Sequence, residues 1–238
     1  AEDRDPKKLK MTDVPGNELS MHNHMGSLLS DYIGTHVIEE SLAGTKAKGG
    51  LTILCHPGRY QNPLEWYVDL FFRYEHLLGI EVYNQGNRHP DDRERWDDIL
   101  TQTLPERLVW GFSADDTHVP DHIGRNWNVF LLPKSDKRWF RRGMEEGRFF
   151  YVYAPKGHAG PKPPEIVSML IDEGKGLIAL NAERYDRIDW ISEGKRIHTG
   201  EVLILSDLEN IGSYVRAEVY GKAGGSIVGT QPILVSPR

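Results

Sequence analysis

The sequence has little cysteine, no long apolar run and no excess of basic charge. Cys55 is the only cysteine among 238 residues, so no disulfide can form within the chain. No run approaches the ~18 apolar residues that a membrane-spanning helix requires, and the mean hydropathy is −0.51. Lys and Arg total 29 against 35 Asp and Glu, a formal net charge of −6, whereas nucleic-acid-binding domains usually carry a basic face. These absences predict a soluble protein that binds neither membranes nor nucleic acid. They leave its compartment, cytoplasmic or exported, and its oligomeric state open.

The first two thirds of the chain alternate short apolar runs with longer amphipathic segments. The runs at residues 51–55, 79–83 and 108–112 are typical of buried parallel strands. Helical spacing fills the segments between them, with Gly49 as a helix end and Pro63 near a helix start. This alternation predicts βα units, and therefore a parallel sheet or α/β barrel, over residues 1–160.

The pattern changes at about residue 161. Short strand candidates follow one another at close spacing, with turn residues and no convincing helix between them. Val215, Ala217 and Val219 alternate with polar neighbours, which indicates a half-buried strand. We therefore predict a small antiparallel β-sandwich over residues 161–238, reached through a linker rich in proline and glycine.

The first candidate site residues are Glu18, His22 and His24. If this segment is extended, the three side chains project from one face. A carboxylate and two imidazoles suit a divalent metal of borderline hardness, such as Zn²⁺, Mn²⁺ or Fe²⁺. An exposed polar hairpin would give the same pattern, so both interpretations stay open.

Further candidates follow two of the predicted strands. His56 comes directly after the run at 51–55, where barrel and doubly wound enzymes place catalytic groups; a structural, hydrogen-bonded histidine is the alternative. Asp116 and His118 follow a later strand as an i, i+2 pair that could bind one metal or two neighbouring ones. Asp115 would point away or orient a ligand histidine. The alternative for both aspartates is a helix N-cap.

Three more residues have weaker signals. Glu81 lies within the apolar run at 79–83, and a buried carboxylate requires a partner. It could be a ligand, a group that orients a ligand, or half of an ion pair, and the last two are favoured. Arg59 and His89 lie in loops after predicted strands and could contact substrate, although solvated loop residues would look the same.

The order of these motifs resembles the PHP (polymerase and histidinol phosphatase) superfamily. The residues that carry the resemblance are Pro15-Gly16-Asn17-Glu18, His24-Met25-Gly26-Ser27-Leu28, Cys55-His56-Pro57-Gly58, Glu81-Val82-Tyr83-Asn84 and Ser113-Ala114-Asp115-Asp116-Thr117-His118. Residues 142–151 are similar to the segment that closes the PHP domain. The linker and residues 214–233 resemble the C-terminal β-domain of the carbaryl-hydrolase-like branch. The resemblance covers residues 12 to 235.

The resemblance implies a distorted (β/α)7 barrel with two or three metal ions at its C-terminal rim. The implied metal ligands are Glu18, His24, His56, Asp116 and His118, of which the last three are also the implied catalytic residues. His22 has no counterpart in the family and is retained as a possible ligand or substrate contact. The family's opening H-x-H strand has no match before Glu18, so the barrel is expected to lack its first βα units.

These observations predict a divalent-metal-dependent hydrolase. We expect a small-molecule phosphoester as substrate, attacked by metal-activated water. We also expect Zn, Mn or Fe, with two or more ions if the N-terminal ligands are present. One alternative is a carboxyl- or carbamate-ester hydrolase with the same cluster. The other is a non-catalytic binding protein with an incomplete metal site.

Overall fold

The computed structural model describes residues 5–6, 8–20, 23–209, 211–222 and 225–236. Within them the chain forms four α-helices: Ile38–Ala47 (α1), Leu64–Arg73 (α2), Asp92–Thr103 (α3) and Lys137–Glu145 (α4). The strands are Gly16–Leu19 (β1), Met25–Leu28 (β2), Leu51–Leu54 (β3), Leu77–Asn84 (β4), Trp110–Ala114 (β5), Asn126–Phe130 (β6), Phe149–Tyr153 (β7), Glu165–Asp172 (β8), Leu177–Glu183 (β9), Tyr185–Ser192 (β10), Lys195–Thr199 (β11), Val202–Ile204 (β12), Tyr214–Gly221 (β13), Ile227–Gly229 (β14) and Ile233–Leu234 (β15). None of the described helices is both long enough and apolar enough to cross a bilayer.

A five-stranded sheet with the order β1-β2-β3-β4-β5 forms the first layer. Strands β3, β4 and β5 are parallel, whereas β1 and β2 are antiparallel to their neighbours. Every residue of β3 and β4 is buried, which explains their continuous apolar sequences. Helices α2 and α3 connect the parallel strands, so the predicted βα alternation is confirmed for this part of the chain.

The helices pack on this sheet through the apolar positions that predicted them. Tyr67, Leu70 and Phe71 recur at helical spacing on α2, and all three are buried. Trp96 of α3 is also buried, and its indole N–H donates to the carbonyl of Val109 at 2.8 Å. This packing holds the C-terminal ends of β3, β4 and β5 at one edge of the sheet, where ligands bind in open α/β sheets.

Side-chain amides take the place of a sixth strand at the outer edge of β5. The Asn128 amide donates to the Ser113 carbonyl at 2.9 Å and accepts from its N–H at 3.0 Å. Gln231 pairs with both backbone groups of Gly111 at 2.9 Å. These pairs occupy the groups that barrel closure would use. The predicted closed (β/α)7 barrel is not found in the part of the chain that the structure describes.

The next strands belong to a different sheet. Strands β6 and β7 are antiparallel and continue into a seven-stranded sheet with the order β11-β10-β13-β14-β7-β6, with β15 paired to β13. Strands β12, β9 and β8 form a third sheet. Leu180 of β9, Trp190 of β10 and Val215 of β13 share an apolar cluster. The seven-stranded sheet crosses residue 160, so the division there and the β-sandwich description stay predictions.

A buried ion network joins α3 to β13. The guanidinium of Arg216 donates to both carboxylate oxygens of Asp97, at 2.8 and 2.6 Å, and to Glu218 at 2.8 Å. Tyr214 donates to Asp97 and Tyr220 donates to Glu218, each at 2.6 Å. Arg216, Asp97 and Glu218 are each at most 4% exposed. This network therefore ties a helix of the first layer to the C-terminal strands through charge-assisted hydrogen bonds.

Candidate metal centre

Three of the sequence-predicted residues converge at the edge of the five-stranded sheet. Glu18 lies on β1, His24 directly precedes β2, and His56 follows β3. The Nδ1 atom of His24 lies 2.7 Å from Glu18 Oε1, and the Nε2 atom of His56 lies 3.3 Å from the same oxygen. One ligand atom from each residue lies within 4.8 Å of the other two. We call Glu18, His24 and His56 the triad.

The triad assembles through a hairpin and not through one extended segment. Strands β1 and β2 are antiparallel, with Leu19 opposite Met25 and Glu18 opposite Gly26. The chain therefore reverses before His24, and the expectation that Glu18 and His24 share the face of a single strand is wrong. His22 lies outside the described residues.

The Glu81 carboxylate holds the backbone of His56. This residue has a φ of 32°, a left-handed conformation that side-chain-bearing residues adopt infrequently. Its N–H donates to Glu81 Oε2 at 2.8 Å, and the Asn84 amide donates to the same oxygen at 2.9 Å. Glu81 is outside the one group of possible ligands found among the described residues. Its carboxylate instead shapes the turn that presents His56.

The first turn of α3 holds the other end of the same loop. The N–H of Gly58 donates to Asp92 Oδ1 at 2.6 Å. A Cβ at Gly58 would lie 2.6 Å from that oxygen and 2.9 Å from the Cβ of His89, so only glycine fits this approach. The His89 and His56 rings are 6.3 Å apart. The Arg59 guanidinium lies 5.6 Å from the Tyr60 ring centre, and that ring borders both triad imidazoles.

Asp116 and His118 lie at the same edge of the sheet but outside the group of triad ligand atoms. Asp116 follows β5 with a φ of 45°, which breaks the i, i+2 relation expected for an extended segment. His118 Nδ1 lies 2.7 Å from the carbonyl oxygen of Asp116 and 3.5 Å from its carboxylate. The His118 side chain is 66% exposed. Their assignment as metal ligands stays a prediction.

Asp115 holds the loop that follows β5. Its carboxylate accepts hydrogen bonds from the N–H groups of Gly124, Arg125 and Asn126, at 2.6, 2.8 and 2.7 Å. These bonds connect the end of β5 to the start of β6. Asp115 therefore has a backbone role that neither the outward-pointing nor the histidine-orienting interpretation predicted.

The sequence interpretation also missed Asp92. Its position in the first turn of a predicted helix was the available signal, because carboxylates there commonly accept backbone N–H groups. The N–H it accepts belongs to Gly58, 34 residues earlier in the chain. A contact between such distant segments cannot be read from local sequence.

Comparisons with known proteins bear on the fold. No family model matches the sequence, and no curated protein matches it. The structure is similar to a crystal structure from Bacteroides vulgatus of a two-domain protein containing a predicted PHP-like metal-dependent phosphoesterase. The TM-score is 0.53 at 13% sequence identity, over 97% of this chain and 77% of that chain. The fold is PHP-like. The similarity does not distinguish the carbaryl-hydrolase-like branch.

The acidic groups of this candidate site have pKa values that differ widely. Hydrogen bonding to His56, and also to His24, lowers the pKa of Glu18 to about 2 despite partial burial. Burial alone would lower the pKa of His56, but the hydrogen bond to Glu18 and the charges of Glu81 and Glu18 outweigh it and raise that pKa. Burial raises the pKa of Glu81 to about 7 and that of Asp92 to about 7. Such divergent values are typical of functional sites.

The donor set fits a divalent metal. One carboxylate oxygen and two imidazole nitrogens are the ligand types that Zn²⁺, Mn²⁺ and Fe²⁺ share. Five buried polar atoms around the triad have no hydrogen-bond partner within the described chain: His56 Nδ1, Tyr60 Oη, Asn84 Oδ1, His89 Nε2 and Asp92 Oδ2. Buried polar atoms are otherwise almost always paired. This concentration indicates a place where polar groups are arranged for binding.

Proposed function

We propose that this protein is a divalent-metal-dependent hydrolase that cleaves a small-molecule phosphoester with metal-activated water. The observation that carries the proposal is the triad, whose ligand atoms lie within 4.8 Å of one another. The PHP-like fold adds support, because the similar Bacteroides vulgatus protein contains a predicted metal-dependent phosphoesterase. Within that fold, the resemblance of the linker and of residues 214–233 to its C-terminal β-domain favours the carbaryl-hydrolase-like branch, with a metal-binding domain over residues 1–160 and a β-sandwich over residues 161–238.

Glu18, His24 and His56 would hold the metal. A bound divalent metal lowers the pKa of a coordinated water toward neutrality and offsets negative charge at the attacked centre. Glu18 stays ionised over the physiological range because its pKa is about 2. Glu81 and Asp92 keep the loop of His56 in place through its backbone.

Asp116 and His118 are proposed as additional metal ligands, with catalytic roles shared with His56. They lie at the same edge of the sheet as the triad, and a second metal there would fit Zn, Mn or Fe. Arg59 and His89 are proposed as substrate contacts because they border the loop that carries His56.

Metal content and hydrolysis can be measured on the same samples. We expect wild type to bind at least one Zn²⁺ or Mn²⁺ per chain and to hydrolyse p-nitrophenyl phosphate. His56→Ala should lose both properties. His36→Ala should lose neither, because His36 is exposed and is not one of the triad ligands. A wild type that binds no metal and cleaves no phosphoester would contradict the proposal.

A non-catalytic binding protein with an incomplete metal site is the second candidate. The observation that favours it is His118, which is largely exposed and lies outside the triad group. It predicts metal binding without turnover of any ester. The same samples tested with p-nitrophenyl acetate and an aryl carbamate examine the third candidate, a carboxyl- or carbamate-ester hydrolase.

A further inference from the structure

A cavity of about 550 Å³ lies between the loop after β5 and the segment after β7. Its walls include Ile123, Trp127 and Pro161, together with His158 and Lys162. The volume is within the range of small-molecule sites, which combine apolar walls with a few polar groups. A second depression of about 560 Å³ shares Ile123 and His158 and extends the first. We call the two together the cationic cavity.

Basic side chains without partners surround this cavity. Lys162 borders the first depression, and Arg125 and Lys156 border the second. Within the described residues, no hydrogen bond or ion pair engages these three side chains. The chain as a whole carries a net charge of −6, so this local excess of unpaired positive charge does not follow from composition.

Two carboxylates also border the cavity, and neither neutralises the basic groups through an ion pair. Asp115 directs its oxygens to three backbone N–H groups. Those donors partly offset its charge. Asp121 borders the second depression and is exposed. The three unpaired cations remain available to an anionic ligand.

The cationic cavity lies at the same edge of the five-stranded sheet as the triad. Asp115, in its wall, directly follows β5, and His56 lies two residues after the end of β3. Strand β4 lies between these two strands, which puts their ends about 10 Å apart at the usual strand spacing.

We propose that the cationic cavity binds an organic anion, with an apolar or aromatic group against Trp127 and Ile123 and an anionic substituent near Lys162, Lys156 and Arg125. If the proposed hydrolase function holds, this anion is the part of the substrate that does not react. The cavity would then select phosphoesters that carry a second negative charge over those that do not.

Calorimetric titration with naphthalene-2-sulfonate tests the cavity directly. The protein is kept metal-free in EDTA, so hydrolysis plays no part in the measurement. We expect saturable binding that Lys162→Gln weakens about three- to fivefold, the size expected for one exposed charge contact. Higher salt should also weaken it, and uncharged 2-naphthol should bind less tightly. Lys175→Gln is the control, because Lys175 is 78% exposed in a turn beside Asp172.

Trp127→Leu removes the aromatic wall and should also weaken binding, whereas Lys162→Gln changes an exposed side chain and keeps the fold intact. Absence of saturable binding to wild type, or wild-type affinity in Lys162→Gln, would overturn the proposal. His56→Ala should bind the sulfonate as wild type does while losing metal. Failure of the hydrolase function would therefore appear in the metal and turnover data and leave the titration unchanged.

Discussion

Two clusters of buried charged residues in this protein differ in how completely their polar atoms are paired. In the network of Arg216, Asp97 and Glu218, the guanidinium donates to both carboxylates, and two tyrosine hydroxyls complete the set. Around His56 the chain leaves polar atoms of His56 and Asp92 buried and unpaired in the described structure. Both clusters contain charges, but only the second contains groups free to bind something else.

The pKa values follow the same division. Burial would raise the pKa of Glu218, but the charge of Arg216 outweighs burial and lowers it, so the carboxylate stays ionised. Burial dominates at Glu81 and Asp92, whose pKa values rise to about 7. A completed network stabilises one arrangement of the chain. An incomplete one favours a ligand that supplies the missing interactions, and this contrast can be tested by mutation.

The largest expected effect is a loss of stability when the network of Arg216, Asp97 and Glu218 is broken. Arg216→Met leaves the carboxylates of Asp97 and Glu218 buried without their cation. Breaking such a pair from one side costs about 3–5 kcal/mol of unfolding free energy. Urea unfolding monitored by circular dichroism measures the loss. Arg73→Met, which removes an exposed i, i+4 pair with Asp69, is the control and should cost less than about 1 kcal/mol. A similarly small loss in Arg216→Met would remove the distinction between the clusters.

The next effect is on activity and not on stability. Asp116→Asn keeps the shape of the side chain but removes the charge that we expect to hold a metal. We predict that hydrolysis of p-nitrophenyl phosphate with Mn²⁺ falls about 100-fold or more, because a ligand should cost at least as much as a group that supports one. The metal-free protein should unfold at an unchanged urea concentration. Wild-type turnover in this variant would show that Asp116 is not a ligand.

The sequence predicted the parallel core of the fold because its signals there are local. Continuous apolar runs mark β3 and β4, and helical spacing marks α2 and α3. Barrel closure was not predictable in the same way. It depends on whether a strand or the amides of Asn128 and Gln231 occupy the edge of β5, and Gln231 lies 120 residues from its partner. Strands β11 and β14 have weak local signals because they are short and carry charged residues or glycine.

The site was predictable in its residue types but not in its geometry. The cluster of one glutamate and two histidines at residues 18–24 pointed to Glu18 and His24, and the histidine after the apolar run at 51–55 pointed to His56. The side-chain alternation of an extended strand was used to predict which residues share a face, and this failed at two places. The chain reverses before His24, and the backbone of Asp116 has a left-handed conformation. A left-handed conformation in a residue other than glycine has no reliable sequence signal, since surrounding contacts impose it. The partners of Asp115 and Asp92 were missed for a related reason, because both are N–H groups set by loop geometry.

A smaller effect should appear as a change in pH dependence. The folded-state pKa of Glu81 is about 7 against 4.5 when unfolded, so the folded protein binds this proton more tightly. Its contribution to the stability of the metal-free protein is therefore present below about pH 4.5 and is lost as pH rises to 7. Glu81→Gln can still accept both hydrogen bonds and removes the buried charge. We expect it to be about 2–3 kcal/mol more stable than wild type at pH 8, with little difference at pH 4.5.

Urea midpoints of both proteins at the two pH values measure this difference, and comparing variant with wild type cancels the titration of other groups. Glu106→Gln, at an exposed position, should show no pH-dependent gain. Metal affinity should move in the opposite direction, about 10-fold weaker in Glu81→Gln, because a carboxylate near the metal is lost. A variant that is less stable than wild type at pH 8 would mean that Glu81 is fully compensated, as Glu218 is.

The smallest effect is expected at Asp115, whose carboxylate is fully hydrogen-bonded and lies at the same edge of the sheet as the cluster around His56. The two oxygens of its carboxylate accept hydrogen bonds from three backbone N–H groups. In Asp115→Asn one of these oxygens becomes an NH₂ group, which faces at least one backbone N–H and cannot accept its hydrogen bond. We expect a loss of about 1–2 kcal/mol of unfolding free energy, with turnover reduced far less than in Asp116→Asn. Asp121→Asn, exposed in the same loop, is the matched control and should leave both unchanged. If Asp115→Asn instead keeps full stability and loses metal, then Asp115 and not Asp116 is the ligand. Asp115 would then belong with the carboxylates that bind a ligand and not with those that only pair with the chain.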